Sequence, residues 1–317
     1  MGYGGLRLAL DLERGVRRGK LNAEIILIDQ YPFHQLVTEM HQVAAGSVPS
    51  EFSTILLERI FKRRTVRFHQ ARVIGFAPHQ KAVHTDQGDF LYDRLVIALG
   101  GEADLFDHPS PRIPGLREHA FSIQSIQPAN QAYMQLQERL FQFIKEQKTS
   151  PGTLYLIIGG GGTTGVEMAG QLADEIPKKC REYKIPREAI SVHLVEGADR
   201  LLPSLHPEIA HYAARVLKRK GIHLHLGVQI TEVRSDRVLL SSGETIPMSI
   251  MIWAGGVRAN RLLLSSPFKV DAKGRIIVNG YLQAGNYSDV FAIGDCSNYI
   301  HPEIGLPSAP TARLAID

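Results

Sequence analysis

Residues 154–165 read LYLIIGGGGTTG, and this stretch decides the fold. Its apolar first half predicts a buried parallel strand, and its glycines match the pattern GxGxxG at Gly160, Gly162 and Gly165. A segment rich in Val, Met and Ala follows and predicts a helix. In such a unit the first glycine allows a tight turn, the second lets a pyrophosphate approach the backbone, and the third lets the helix pack on the strand. The stretch therefore predicts a dinucleotide-binding domain.

The next strand supplies a carboxylate that suits a nicotinamide dinucleotide. Residues 191–196 form an apolar run that ends in Glu196. A carboxylate at this place accepts hydrogen bonds from the adenosine ribose diol and repels a 2′-phosphate, which favours NADH over NADPH. The alternative is a surface acid that only ends a strand. The nearby Arg200 leaves the strictness of the preference open.

The amino terminus carries an incomplete copy of the same glycine pattern. Residues 1–5 read MGYGG, and Gly2 and Gly5 match its second and third glycines. The almost continuous apolar run 24–29 predicts a parallel strand that is buried on both faces. Asp29 ends this strand, 24 positions after Gly5, and is the matching ribose acid. The first glycine and the strand before it are missing, so we expect a truncated or misannotated start. The alternative is a disordered glycine-rich start.

Three further apolar runs, at 91–101, 250–254 and 289–293, end in or just before glycines. The last run is followed by an aspartate, whose two oxygens can bind a sugar-like polyol. We expect four residues after these strands to contact a cofactor: Gly100, Gly255, Gly294 and Asp295.

The order of these segments predicts the fold class. Strands alternate with glycine turns and helices, and the pattern begins twice along the chain. Between the two copies, apolar residues at helical spacing over 126–144 predict an amphipathic connecting helix. We therefore predict an α/β protein with two Rossmann-like dinucleotide-binding domains.

Composition excludes several classes of function. Lys and Arg exceed Asp and Glu by 36 − 32 = 4, which is too few to indicate nucleic-acid binding. Three short basic runs, at 62–64, 178–179 and 218–220, can meet anionic lipid or an acidic partner, but we interpret them as solvated faces. No apolar run reaches the ~20 residues of a spanning helix, so any membrane contact is expected to be peripheral.

The cysteines and histidines do not indicate a metal or a disulfide framework. Cys180 and Cys296 are the two cysteines, and they form no CxxC spacing. The histidines show no HExxH or paired-ligand spacing. We therefore predict no metal site and a reducing compartment.

Taken together, these residues resemble the pyridine-nucleotide flavoprotein reductase family, and most closely the type II NADH:quinone oxidoreductases. The resemblance covers nearly the whole chain and is specific only when its motifs are taken jointly. The matching segments are 2–5, 33–35, 38–46, 92–100, 160–167, 253–258, 291–295 and 310–312.

The resemblance implies how the two domains are arranged along the chain. In this family the first unit and the returning carboxy-terminal segment bind FAD, and the NADH-binding unit is inserted between them. The corresponding ranges are 1–120 for the first part of the FAD domain, 121–276 for the NADH domain with its connecting helix, and 277–317 for the returning FAD segment.

The resemblance also implies roles for individual residues. Asp29 is expected to hold the adenosine ribose of FAD, and Asp295 the ribitol. The backbone at Thr311 and Ala312, where a helix begins, is expected to face the isoalloxazine and to stabilise negative charge on it. Glu167 matches an acid that in the family lies near nicotinamide and flavin, and it is our candidate catalytic residue. The alternative is an acid that only complements the helix dipole.

The electron acceptor is the least determined part of the prediction. The chain lacks the flavin-side cysteines of disulfide-reducing and sulfide-oxidising relatives, which implies a diffusible acceptor such as a quinone. Arg313 and Asp317 stand where the type II enzymes usually carry glutamines near the quinone. An iron–sulfur electron carrier as acceptor, or a non-catalytic nucleotide-binding fragment, stays open as an alternative.

The resemblance bears finally on location and assembly. The sequence ends inside a helix that the family follows with a membrane-docking segment, so peripheral membrane contact through that missing segment is expected. We expect a cytoplasmic protein, peripheral on the cytoplasmic face of the membrane, and leave a homodimer open.

Overall fold

The computed structural model describes residues 1–105, 113–146, 152–300, 305 and 315. The chain forms two compact units. Unit 1 comprises Met1–Leu36, Thr54–Glu102 and Val257–Asp317, and unit 2 comprises Val37–Ser53 and Ala103–Gly256. The α/β class and the insertion of one dinucleotide-binding domain into the other are confirmed. The domain boundaries given above stay a prediction.

The helices and strands of the described residues are numbered in chain order. The helices are α1 (Tyr3–Arg17), α2 (Met40–Ala45), α3 (Leu57–Phe61), α4 (Leu116–His119), α5 (Ile126–Glu146), α6 (Thr163–Tyr183) and α7 (Pro207–Arg219). The strands are β1 (Ile25–Asp29), β2 (Phe33–Gln35), β3 (Thr54–Leu56), β4 (Val66–Gln70), β5 (Val73–Ala77), β6 (Ala82–Thr85), β7 (Gly88–Leu91), β8 (Leu95–Ile97), β9 (Gly101–Ala103), β10 (Ala120–Ser122), β11 (Leu154–Gly159), β12 (Ile190–Glu196), β13 (Ile222–Leu226), β14 (Ile230–Val233), β15 (Arg237–Leu240), β16 (Thr245–Pro247), β17 (Ile250–Trp253), β18 (Val257–Ala259), β19 (Ile276–Ile277), β20 (Val290–Ala292) and β21 (Ser297–Asn298).

Unit 2 is built on a parallel sheet with the strand order β10-β17-β11-β12-β13. Strand β11 lies at its centre, where Leu156 pairs with Val192 on one side and Ile250 on the other. Helix α6 packs against β11 and β12. The antiparallel strands β14 to β16 supply a second apolar cluster that includes Ile157 and Val195. Because β11 is covered on both faces, its apolar run is nearly continuous.

Helix α2 is short but firmly placed within unit 2. Met40, Val43, Ala44 and Ala45 are buried, and the helix packs against α5 and α6. Gly46 ends it in the left-handed region, with φ +78°. A Cβ at Gly46 would lie 2.2 Å from the ring of Tyr133 on α5, so only glycine permits this contact.

Unit 1 has smaller sheets and contains the main correction to the sequence prediction. Strand β1 pairs in parallel with β4, and β8 pairs in parallel with β20. We predicted a strand at 24–29 buried on both faces, but none of its residues is buried and Ile26 is 41% exposed. Within the described residues β1 and β8 each pair along one edge only, which leaves the other edge open. The strand predicted over 91–101 is also shorter than expected, because β8 spans three residues.

Across the part of the chain that the structure describes, no helix has both the length and the apolar character required to cross a bilayer.

Candidate functional site

The glycine turn between β11 and α6 has the geometry that its sequence predicts. Gly160 has φ +108°, a conformation that L side chains rarely adopt. A Cβ at Gly165 would lie 1.8 Å from the carbonyl oxygen of Gly160, so the third glycine allows the helix to meet the turn. Gly162 caps the helix without a side chain, and no atom lies within 4 Å of its Cβ position. The turn therefore leaves an open helix N-terminus, which fits an anionic pyrophosphate.

Glu196 ends β12 beside this turn. Its carboxylate accepts hydrogen bonds from the backbone N–H of Gly161 at 2.5 Å and of Ala198 at 2.7 Å. These bonds hold the carboxylate at the glycine turn, and each oxygen retains a lone pair for a further donor. The Arg200 guanidinium instead donates to the carbonyl oxygen of Pro203. The position of Glu196 fits an acceptor for ribose hydroxyls.

Gly255 has a packing requirement in this structure. A Cβ there would lie 2.2 Å from the ring of Trp253. The indole is itself fixed, because its Nε1 donates to the carbonyl oxygen of Asp104 at 2.7 Å. The end of β17 also meets the glycine turn, where a Cβ at Gly160 would lie 2.6 Å from the oxygen of Ala254. Contact of Gly255 with a cofactor stays a prediction.

The candidate catalytic residue Glu167 lies just after the first turn of α6, not within it as the sequence predicted, and is half exposed. One of its carboxylate oxygens is 3.7 Å from Nδ1 of His41, and the His41 side chain is only 15% exposed. Helix α2 packs against both α5 and α6, and this packing places the imidazole beside α6. The motifs of the sequence indicate no role for His41. The segment 38–46 contains it, but spacing alone does not reveal that it meets α6.

In unit 1 the amino-terminal turn brings two predicted residues together. Gly2 precedes α1 as its N-cap residue, and a Cβ at Gly5 would lie 3.3 Å from the Cβ of Ala98. The Asp29 carboxylate is 3.2 Å from the amino group of Met1 and accepts the N–H of Tyr31 at 2.9 Å. The strand-ending acid therefore lies at the glycine turn, as it does in unit 2.

Asp295 lies in a second part of unit 1, directly after β20. Its Cβ is 3.4 Å from the position of a Cβ at Gly101, so the turn at Gly100-Gly101 and the acid are neighbours. Gly100 and Gly294 have φ +67° and +69°, which explains glycine at both places. Burial raises the pKa of the Asp295 carboxyl. Within the described residues we find no side-chain partner for this carboxylate, which fits a hydroxyl-rich ligand that would donate to it.

The cysteines are not placed for redox chemistry. Cys296 is fully buried, and its thiol donates to the carbonyl oxygen of Ile293 at 3.1 Å. Burial raises its pKa to about 11. Cys180 is also buried, and burial raises its pKa. Since the thiolate is the reactive form, both residues are structural.

Some predicted features lie outside the described residues. They are Thr311 and Ala312, the neighbouring Arg313 and Asp317, and the helix expected to begin near Pro310. Over the ranges that are described, no cluster of His, Cys, Asp or Glu is suited to hold a metal ion.

Comparisons with known proteins identify the family of the chain. The model of the family described as pyridine nucleotide-disulphide oxidoreductase matches residues 1–314. The chain is 29% identical over 317 residues to a type II NADH:quinone oxidoreductase of Staphylococcus saprophyticus, covering 99% of this chain and 77% of that protein. It is 29% identical over 324 residues to the type II NADH:quinone oxidoreductase of Staphylococcus aureus, with the same coverage.

Solved structures share the fold. NDH2 from Plasmodium falciparum in complex with NADH superposes with a TM-score of 0.80 at 19% identity. It covers 94% of this chain, and this chain spans 63% of its length. A ferredoxin reductase from Rhodopseudomonas palustris superposes with a TM-score of 0.76 at 21% identity. The superposition covers 100% of this chain and 72% of the reductase chain.

Proposed function

The chain belongs to the pyridine nucleotide-disulphide oxidoreductase family, and from this premise we propose that it is an FAD-dependent NADH:quinone oxidoreductase. It transfers a hydride from NADH to flavin and then passes electrons to a quinone. One observation carries the proposal. In each unit a strand-ending carboxylate lies at a glycine turn where a helix begins, with Glu196 at Gly160–Gly165 and Asp29 at Gly2–Gly5. Two such sites suit a dinucleotide hydride donor and a dinucleotide hydride acceptor.

In unit 2 the chain binds and orients NADH. The open N-terminus of α6 holds the pyrophosphate, and the free lone pairs of Glu196 accept the ribose hydroxyls. Glu167 contacts the nicotinamide end, since it lies one turn into the same helix. His41 lies beside Glu167, with its Nδ1 3.7 Å from the carboxylate.

In unit 1 the chain holds FAD. Asp29 accepts the adenosine ribose and Asp295 the ribitol, whose hydroxyls provide the partners that the Asp295 carboxylate lacks within the described residues. Thr311 and Ala312 complete the site from the returning segment. When bound, FAD supplies the acceptor for the hydride, and the chain supplies orientation and electrostatics.

The route by which electrons leave follows from the thiols. Both cysteines of the sequence are buried, and burial raises the pKa of each thiol, so a dithiol relay is not supported. Electrons therefore pass to a diffusible acceptor. A quinone is favoured because the Staphylococcus relatives are named for it.

The proposed location of the protein follows from its electron acceptor. A lipid-soluble quinone is met at a bilayer surface, so we propose a cytoplasmic protein that works peripherally on the membrane face.

The test is an anaerobic spectrum of the purified chain supplied with FAD, followed by NADH and then by a soluble quinone. We expect a flavin band that bleaches with NADH and returns with the quinone. If the bleached band returned only with an iron–sulfur carrier, that carrier would replace the quinone as the proposed electron acceptor. A folded protein that binds NADH but shows no flavin band would contradict the enzyme assignment.

A further inference from the structure

The turn that follows Glu196 is held in place by residues that follow the neighbouring strand β13. The Gly227 N–H donates to the carbonyl oxygen of Ala198 at 2.7 Å, and the Val228 N–H donates to that of Glu196 at 3.2 Å. Ala198 in turn donates its own N–H to the Glu196 carboxylate at 2.7 Å. The position of this carboxylate therefore depends on the position of β13.

Strand β13 lies at one end of its sheet. Over the described ranges it pairs with β12 alone, in a register that places His225 beside Val195 and Leu226 beside Glu196. A strand of this kind has ladder hydrogen bonds along one edge only. Helix α7 also packs against it. Side-chain contacts between β12 and β13 therefore contribute to holding β13 in place.

Such a contact lies three positions before Glu196. Nδ1 of His193 on β12 is 2.9 Å from Nε2 of His225 on β13. Nε2 of His193 is 2.9 Å from the Ser191 hydroxyl, and Nδ1 of His225 is 3.9 Å from the Glu244 carboxylate. One set of neutral tautomers is consistent with these distances: Ser191 donates to His193, His193 donates to His225, and Nδ1 of His225 carries the proton beside Glu244. A hydrogen bond between two imidazoles therefore joins the strands.

This hydrogen bond requires neutral rings. Burial, followed by the charges of His223 and His225, lowers the pKa of His193 to about 4. Burial also lowers the pKa of His225. A neutral imidazole has one donor and one acceptor, so two neutral rings can share a hydrogen bond, whereas two charged rings are both donors only. The bond is therefore available at neutral pH.

We propose that His193 and His225 are positioning residues of the NADH site. Their hydrogen bond ties β13 to β12, and the residues after β13 hold the turn at Ala198 that presents the Glu196 carboxylate. This inference rests on the proposed function, in which Glu196 accepts the hydroxyls of the adenosine ribose. The histidines act on the nucleotide through Glu196, so their contribution to binding should disappear when that carboxylate is removed.

The experiment is calorimetric titration of the full chain with ADP-ribose, which carries the adenosine ribose and the pyrophosphate of NADH. His225→Leu removes the hydrogen bond to His193 and should raise the Kd about 2–10-fold, which is the effect of one lost hydrogen bond. His225→Gln should bind within about twofold of the unmodified chain, since its side-chain oxygen can accept the Nδ1–H of His193. In a Glu196→Ala background, His225→Leu should change the Kd by less than about twofold, whereas a general loss of stability would weaken binding in both backgrounds.

His223→Leu is the matched control on the same strand. The His223 ring stacks on that of His193, with centroids 4.7 Å apart, but among the described residues no hydrogen bond joins these two side chains. This variant should bind ADP-ribose within about twofold of the unmodified chain. As a second measurement, hydrogen exchange of the Gly227 amide, followed by NMR, should become faster in His225→Leu and not in His223→Leu.

The outcomes separate this inference from the proposed function. An unchanged Kd in His225→Leu, an equal loss in His223→Leu, or an undiminished loss in the Glu196→Ala background would overturn the positioning role and leave the NADH site standing. If the unmodified chain did not bind ADP-ribose, the NADH site of the proposed function would be wrong, and this inference with it.

Discussion

Gly165 is the residue whose role is most sharply defined by the surrounding atoms. A Cβ there would lie 1.8 Å from the backbone oxygen of Gly160, whereas at Gly170, on the same helix, no atom lies within 4 Å. Gly165→Ala is therefore expected to displace the turn, to cost about 1–3 kcal/mol and to abolish NADH binding. Gly170→Ala should stabilise the helix by about 0.5–1 kcal/mol. Urea unfolding and NADH titration measure both effects, and equal behaviour of the two variants would contradict the role of Gly165.

Glu196 is the residue expected to select the nucleotide. Glu196→Gln keeps one carbonyl oxygen, which can accept from only one of the two backbone N–H groups, and loses the charge that repels a 2′-phosphate. We expect the Kd for NADH to rise about tenfold and the preference for NADH over NADPH to shrink, because a hydrogen bond to a charged group contributes about 1.5–3 kcal/mol. Isothermal titration with both nucleotides measures this. Glu208→Gln, at an exposed site on α7, is the control, and an unchanged NADH:NADPH ratio in Glu196→Gln would refute the assignment.

The elements β12 and β13 are joined by a cluster of three histidines. His193 Nδ1 is 2.9 Å from His225 Nε2, and the His193 ring stacks on His223 with centroids 4.7 Å apart. Ser191 and Tyr155 also contact His193, and the Glu244 carboxylate lies 3.9 Å from Nδ1 of His225. Burial, followed by the charges of His223 and His225, lowers the pKa of His193 to about 4. Burial also lowers the pKa of His225.

This cluster predicts an acid-sensitive unit 2. The pKa of His193 is about 4 in the folded chain and 6.5 in the unfolded chain. Between these values the unfolded state binds more protons, so stability falls as the pH falls from 6.5 towards 4. We expect a loss on the order of 2 kcal/mol across this window, measured by urea unfolding. His193→Gln should flatten the dependence and His211→Gln, on α7, should not. A similar slope in His193→Gln would rule the cluster out as its source.

The elements also show what a sequence can predict and what it cannot. Strand β11, helix α6 and helix α5 follow from apolar periodicity and glycine placement, because each is covered by its neighbours in the way that its pattern implies. The prediction for β1 was wrong in its burial, since Ile26 is 41% exposed. An apolar run predicts a strand whose side chains suit burial, but the segments that would bury it lie elsewhere in the sequence. Among the described strands β1 pairs only with β4, and this pairing depends on those other segments.

For the whole molecule, the sequence predicted residues that the fold brings together within each unit. Glu196 lies at the glycine turn of unit 2, and Asp29 lies at that of unit 1. These contacts were predictable because strand ends and helix starts meet at one edge of a parallel sheet. The meeting of His41 with Glu167 was not, because the two residues are 126 positions apart and α2 has no nucleotide motif.

The two nucleotide sites that we propose lie in separate compact units, so the loss of one bound nucleotide should leave the other bound, while turnover is lost in either case. Asp295→Asn removes the carboxylate that lacks a side-chain partner within the described residues of unit 1, so we expect FAD retention to fall at least about tenfold. NADH binding by unit 2 should stay within about twofold of the unmodified chain, since Glu196 and the turn at Gly160 are untouched. Asp93→Asn, at an exposed site of unit 1, should change neither quantity. Bound flavin is measured by absorbance after gel filtration, and NADH by titration calorimetry. If Asp295→Asn kept its flavin, Asp295 would not bind the ribitol, and the proposed NADH site would be unaffected. If Asp295→Asn lost NADH binding instead, the assignment of one nucleotide to each unit would be wrong.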